Sequence, residues 1–557
     1  MTGTELEVTV REWLRHDPDP TTVTAIERLL DHDDIGELTA LFTGRLAFGT
    51  AGLRAPMGPG PNRMNRRVVR QTTAGLMQWL PKGALVVVGF DARHQSEMFA
   101  HDVAMVVAAA GGRAELLPEA LPTPVLAAAV LERRADAGVM ITASHNPKQD
   151  NGYKLYLADG IQLVAPDDAA IAALIDAVGD EGGSVPVAPL DHPSIVTLGA
   201  DIVQHHLDQA VATPVLDART VTSVYTAMHG VGGRHLLRAF ALAGFPAPIC
   251  VADQFEPDPE FPTIPFPNPE EAGALDRAIA CGEANRADVV LANDPDADRL
   301  AIAVPSRSGN EFARLSGDEL GVLLADHLLR HTSGRRQVAT SLVSSRLLER
   351  MAVAHGVRST TTLTGFKWVA RPIVDHPEEA YVLGYEEAIG YCVGGRVRDK
   401  DGISAALVAA EMVADARAKG ETLWDRLDQL ALAHGLHRTA PLNLRFDGVD
   451  GMERRRQALD TVAQHPPTDV ATGSAVASLV SFEDLAEGRQ FEPTEGLVLG
   501  YDDDTRVIVR PSGTEPKLKA YVEVIVPVVG PEALSTAGRL ADERLAVYLD
   551  TFARLLS

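Results

Sequence analysis

Four apolar runs along the chain share one pattern, a β-branched stretch that stops abruptly at polar or glycine residues: LVVVGFDAR (85–93), GVMITASHNP (138–147), DVVLANDPDADR (288–299) and YVLGYEEAIGY (381–391). Short apolar runs bounded in this way read as buried strands. Between them lie Ala- and Leu-rich stretches with helical spacing: MFAHDVAMVVAAAGG (98–112), GDELGVLLADHLLRHT (317–332) and GISAALVAAEMVADARA (402–418). Alternating strand and helix predicts parallel α/β layers, in which ligands bind beyond the carboxyl ends of the strands. The polar tips of the four runs are therefore candidates to meet in one cleft.

The carboxyl-terminal part follows another rhythm. VIVRPSGTEPKLKAYVEVIV (507–526) alternates apolar and polar positions around a turn, which predicts paired strands with one wet face and a separate α+β unit. Two Pro- and Gly-rich stretches interrupt the periodic segments. EGGSVPVAPLDHP (181–193) reads as a connection within the opening domain, and FEPDPEFPTIPFPNPEE (255–271) as a long loop of the second, since helical LDRAIACGEA follows it. REWLRHD and AIERLLDHD near the start read as short helices without a functional reading.

A chain of 557 residues exceeds what one core usually organises, so several domains with clefts between them are expected. The 76 acidic and 51 basic side chains leave a net charge of −25, a field that repels nucleic acid. A small anionic substrate would then need a locally basic pocket. Cys250, Cys281 and Cys392 are far apart in sequence and suggest neither a disulfide framework nor a zinc site. The start lacks the apolar core of a signal peptide, and no apolar stretch approaches the ~20 residues of a membrane helix. The expectation is a soluble, cytoplasmic protein with no membrane or nucleic-acid partner, as a monomer or homodimer.

The chemistry concentrates at the strand ends. In TASHNPKQDNGYKLY (142–156), Ser144 and His145 follow an apolar strand, Asn146-Pro147 breaks it, and Lys154 is close enough in sequence to fold back beside Ser144. In DPDADR, Asp294, Asp296 and Asp298 alternate along what reads as an extended loop, so that they converge on one side on a hard cation, Mg2+. Oxygen ligands alone do not separate Mg2+ from Mn2+. Arg299, next in line, can reach a phosphoryl group. RPSGTEPK (510–517) supplies Arg510, Ser512, Gly513, Thr514 and Lys517, the donors a phosphate monoester requires in a tight turn. GYEEAIGY brings Glu386 and Glu387 to a strand end, where a carboxylate can accept hydrogen bonds from sugar hydroxyls. FGTAGLRAPMG (48–58) carries Arg54, and LTGFKWV (363–369) carries Thr364 and Lys367; both suit anion contacts or plain structural turns. Taken singly, each segment also fits an ordinary surface loop.

In this order, GTAGLR, TASHNP, DPDADR, LTGFKW, GYEEAIGY and RPSGTEPK resemble the alpha-D-phosphohexomutase superfamily, which includes phosphoglucomutases and phosphomannomutases. The resemblance implies an α/β fold class with a four-domain architecture: three α/β domains with mixed parallel sheets plus a C-terminal α+β domain around a central cleft. The expected divisions are a helical extension (1–44), domain I with a phosphoserine loop (45–215), domain II with the metal loop (216–333), domain III with the sugar loop (334–440) and domain IV with the phosphate loop (441–557). It further implies that Ser144 is the phosphorylated nucleophile and shares the Mg2+ with Asp294, Asp296 and Asp298. By the same resemblance Glu386 selects the sugar, and Arg510, Ser512, Gly513 and Thr514 hold its phosphate. Arg54, Arg299, Thr364, Lys367 and Lys400 (in RDKDG) are further substrate contacts, and His145 and Lys154 are candidates for proton transfer.

The implied activity interconverts a sugar 1-phosphate and 6-phosphate, of glucose or mannose, through a sugar 1,6-bisphosphate that also serves as activator. Ala388 stands where the common sugar-loop pattern has serine, and Tyr385 precedes Glu386, a form more like the branch with phosphopentomutases and sugar-bisphosphate synthases. A serine-dependent phosphatase and a noncatalytic sugar-phosphate sensor are the more remote readings.

Overall fold

The computed structural model describes residues 3–47, 52–309, 311–446, 450–467, 470, 473–486, 494–511 and 517–556. Four sheets organise these residues. In the first, the strands run in the order Leu53–Pro56, Asp150–Leu157, Ala137–Ile141, Leu85–Phe90, Arg113–Leu116, Ile195–Thr197. Leu85–Phe90 and Ala137–Ile141 are buried throughout and run parallel, with Val86 opposite Ala137 and Phe90 opposite Ile141. The helices Ser96–Ala109 and Thr123–Arg133 cover such strands, which is why both read as unbroken apolar runs.

The same logic recurs twice. Val289–Ala292 pairs in parallel with Ser223–Thr226 in the second sheet, and Ala380–Glu386 pairs in parallel with Arg336–Ser341 in the third. Each of the four apolar runs is a strand whose polar continuation leaves its carboxyl end. The helix Gly317–His331 begins at a capping box of Ser316 and Glu319, and Gly402–Ala418 begins at Asp401, whose carboxylate accepts from the amides of Ile403 and Ser404.

The fourth sheet is antiparallel, in the order Leu436–Arg445, Lys517–Val526, Arg506–Pro511, Leu497–Tyr501, Val476–Ser481, and the helix Leu534–Leu556 packs on it. The hairpin expected around RPSGTEPK is present, with Arg510 opposite Lys519, so both side chains leave one face of the sheet.

The start of the chain is helical, as expected, and packs into the first core. The helices Gly3–His16, Pro20–Asp31 and Ile35–Phe42 place Leu6, Val10, Trp13, Ile26, Leu38 and Phe42 in one cluster with Val69, Leu76 and Phe99, the core of the first sheet. Arg67 seals this junction: its guanidinium lies 4.3 Å from the centre of the Trp13 ring and donates to Trp13 O at 2.6 Å. Among the described residues no helix is long and apolar enough to cross a membrane.

Candidate active site

The chain leaves the buried strand Ala137–Ile141 into a turn where Ser144 adopts φ 52°, in the left-handed region that strains any residue with a β-carbon. Its surroundings enforce that conformation. Ser144 N donates to Thr142 Oγ1 at 2.8 Å, and the Thr142 hydroxyl donates in turn to Asp91 Oδ2 at 2.6 Å. The buried Arg93 guanidinium donates to the carbonyls of Ser144, Asn146, Pro147 and Asp150, gathering the whole turn on one side chain. Ser144 Oγ is thereby aimed across to the second sheet, where it donates to Asp294 Oδ2 at 2.6 Å. It also stands 3.2 Å from His145 Nδ1. Burial, then the nearby guanidinium groups of Arg299 and Arg54, hold the His145 imidazole well below its ordinary range, so it is a neutral ring beside the hydroxyl.

The DPDADR segment is a turn, not the extended loop expected from its alternation. Ala297 N donates to Asp294 O at 2.9 Å and Ala297 adopts φ 54°, which folds the chain so that Asp294, Asp296 and Asp298 each bring a carboxylate oxygen within 4.8 Å of the others. All three are buried. Asp296 Oδ2 accepts from Thr123 Oγ1 and from Lys154 Nζ, both at 2.6 Å, and Asp298 Oδ2 accepts from Lys154 Nζ at 2.9 Å. Burial, then Asp296 and Asp298, raise the Asp294 carboxyl well above its usual range. At Asp296, burial is outweighed by the charge and hydrogen bond of Lys154, and the carboxyl lies below its usual range. Asp298 is also lowered: burial and the charge of Asp296 act upward but yield to Lys154, Lys400 and Arg299.

This donor set fits a hard divalent cation. Asp296 Oδ1 and Asp298 Oδ1 are buried with no hydrogen-bond partner, an arrangement that costs free energy unless a cation takes their lone pairs.

Lys154 folds back into the pocket that Ser144 also reaches, and its charge acts on the neighbouring His145. Its ammonium bridges Asp296 and Asp298, and although burial opposes its charge, the two carboxylates raise its affinity for the proton. The Lys367 ammonium donates to Leu163 O at 3.1 Å and so ties the third unit to the first.

The other predicted residues among those described make the following contacts. Arg54 reaches Asn146 Oδ1 at 3.5 Å, Arg299 donates to Ala388 O at 2.8 Å, and Arg510 donates to Thr364 Oγ1. In all three guanidinium groups Nε is buried without a hydrogen-bond partner, leaving donor capacity for an anion. Lys400 lies 3.5 Å from Asp298 and 3.2 Å from Asp399; burial opposes its charge, but these carboxylates raise its pKa. Glu386 Oε1 accepts from Gly365 N at 2.7 Å. Burial, then Glu386 and Asp318, push the Glu387 carboxyl up to about 7. Ser512, Gly513 and Thr514 lie outside the described residues.

Sequence reasoning missed Asp91, Arg93, Thr123 and Lys519. Asp91 and Arg93 end the run LVVVGFDAR, so the strand-end rule contained a signal for them. Lys519 is half-buried and, lying opposite Arg510 in the hairpin, adds a second cation on the same face; burial, then Arg510, lower its pKa.

Comparison with known proteins supplies the family. Four domain patterns described as phosphoglucomutase/phosphomannomutase match in order: alpha/beta/alpha domain I at residues 45–181, alpha/beta/alpha domain II at 204–308, alpha/beta/alpha domain III at 316–431 and the C-terminal domain at 469–525. The chain belongs to the phosphoglucomutase/phosphomannomutase family. A probable phosphomannomutase of Haemophilus influenzae is 41% identical over 83% of this chain and 93% of its own. The human phosphopentomutase is 34% identical over 94% of this chain and 92% of its own, and the human glucose 1,6-bisphosphate synthase 32% over 98% and 93%. Among solved structures, a putative phosphomannomutase of Thermus thermophilus superposes with a TM-score of 0.64 at 24% identity, covering 90% of this chain and 99% of its own. As a phosphoglucomutase/phosphomannomutase family member, the chain is a phosphosugar mutase of the isomerase class.

Proposed function

We propose that this mutase interconverts the 1-phosphate and 6-phosphate of glucose or mannose through phosphorylated Ser144 and a bisphosphorylated sugar. The observation that carries the proposal is Ser144 itself, held at φ 52° with Oγ 2.6 Å from Asp294, beside a three-carboxylate pocket and next to His145, on which the Arg299 and Arg54 charges act. Asp294, Asp296, Asp298 and a phosphoserine oxygen would hold Mg2+, which when bound neutralises charge on the phosphoryl oxygens.

Arg299 and Lys400 stand beside that pocket and stabilise the phosphoryl oxygens during in-line transfer to a sugar hydroxyl. Neutral His145 accepts the proton released from the attacking hydroxyl, and Lys154 stays protonated and balances Asp296 and Asp298. At the far end Arg510, Lys519 and the RPSGTEP turn grip the phosphate that is not being transferred, while Glu386 and Glu387 accept from the sugar hydroxyls. The sugar bisphosphate then reverses in the cleft and returns its other phosphoryl group to Ser144. Closure of the fourth unit over the cleft keeps water from the phosphoserine.

One observation favours a pentose substrate as a second reading. Ala388 gives the sugar loop no side-chain hydroxyl, and relatives matching nearly the full chain are named phosphopentomutases. Isomer formation from glucose, mannose and ribose 1-phosphates, measured side by side with Mg2+ and a trace of bisphosphate, decides between them. Preference for a hexose supports the first reading, and preference for ribose replaces it with the second.

A further inference from the structure

The Pro-rich stretch FEPDPEFPTIPFPNPEE has no part in the proposal above, yet it reaches from the second unit to the turn that bears Ser144. It is firmly attached to its own sheet: Asp258 N donates to His229 O at 3.0 Å, Gln254 Nε2 donates to Thr263 Oγ1 at 2.9 Å, and the His229 ring is 2.8 Å from the same hydroxyl. At its tip Phe261 is buried and adopts φ 45°, a conformation that persists in a bulky residue only where surrounding contacts fix it. Those contacts include Arg93, whose guanidinium lies 5.0 Å from the centre of the Phe261 ring. Glu260, the preceding residue, accepts from His94 Nε2 and from Lys148 Nζ, both at 2.7 Å. His94 follows Arg93 and Lys148 follows Pro147, so the loop tip is seated on both sides of the turn.

Resting on the reading of Ser144 as nucleophile, we propose that Phe261 is a positioning residue, which fixes Arg93 and through it the Ser144 turn. Arg93 donates to four carbonyls of that turn, so a tilt of its guanidinium moves Ser144 and its neighbours together. The aromatic face sets the plane of the guanidinium in a way an aliphatic side chain of similar size does not. The nucleophile is in register with Asp294 only while the second unit's loop is docked on the first. Phe261 therefore acts on the chemical step and leaves sugar binding at Arg510 and Glu386 alone.

The test compares Phe261→Leu, which fills most of the space, with Phe261→Tyr, which keeps the ring. Phe240→Leu serves as a control for lost packing, because Phe240 lies inside the second unit against Phe245 at 5.3 Å. Phe261→Leu is expected to lower kcat about 10-fold with KM unchanged within about two-fold, and to slow phosphorylation of Ser144 by sugar bisphosphate equally. Phe261→Tyr should recover most of the loss, and Phe240→Leu should keep kcat while lowering thermal stability. Equal kcat for the Leu and Tyr variants, or a loss that falls on KM, overturns the inference with the proposed function intact. A wild-type enzyme that isomerises no sugar phosphate overturns the proposed function, and this inference with it.

Discussion

Asp318 links the helix Gly317–His331 to both the third and fourth sheets, and its charge should oppose that junction above pH 6. Its carboxylate is buried and accepts from Ser345 N at 2.7 Å, Tyr385 OH at 3.1 Å and Thr439 Oγ1 at 2.7 Å. Even so, burial dominates, and the carboxyl is raised from the ordinary 3.8 to about 6. The folded protein therefore holds a proton that the unfolded chain has lost between those two values, and stability falls as pH rises through that window. The difference corresponds to about 3 kcal/mol. Asp318→Asn keeps an acceptor for Ser345 and Tyr385 but has no charge to desolvate. The free-energy difference between variant and wild type, from urea titrations following the third and fourth units, should thus move by about 2.4 kcal/mol in the variant's favour from pH 4 to pH 7. A difference that stays flat across that range, or moves the other way, refutes the reasoning.

Two further outcomes follow from the buried charges. Lys154→Met leaves Asp296 and Asp298 without their shared ammonium and should cost about 3–5 kcal/mol in thermal unfolding, a deficit that millimolar Mg2+ narrows; an undiminished gap with Mg2+ would remove the cation from the account. Glu387, raised to about 7, gains a charge-assisted hydrogen bond to a sugar hydroxyl only above that pH. The ratio of KM in Glu387→Gln to that in wild type should rise about five-fold from pH 6 to pH 8, and a constant ratio would exclude Glu387 from sugar binding.

Much of the architecture was legible because the strands carry their environment in their composition. LVVVGF and AGVMI are buried on both faces, so they read as unbroken apolar runs, and the chemistry followed at their ends. The turn in DPDADR was not legible, since it depends on Ala297 at φ 54°, a residue type that rarely signals a left-handed position. The partners of Lys154 were not legible for another reason: they are more than 140 residues away, and sequence proximity to Ser144 said nothing of the Asp296–Asp298 pair. Thr123 had no signal at all, because only the docking of the first unit against the second brings it to Asp296. The first helices read as helices, but whether their apolar faces met solvent, a partner or the first sheet rested on tertiary packing.

The most direct test of the central claim is the mass of the intact protein after exposure to glucose 1,6-bisphosphate and Mg2+, for wild type and for Ser144→Ala, with isomerase activity measured on the same samples. The wild type should gain one phosphoryl group, located at Ser144, and the variant should show neither modification nor turnover. A Ser144→Ala protein that still isomerises sugar phosphates at an appreciable rate would contradict that claim.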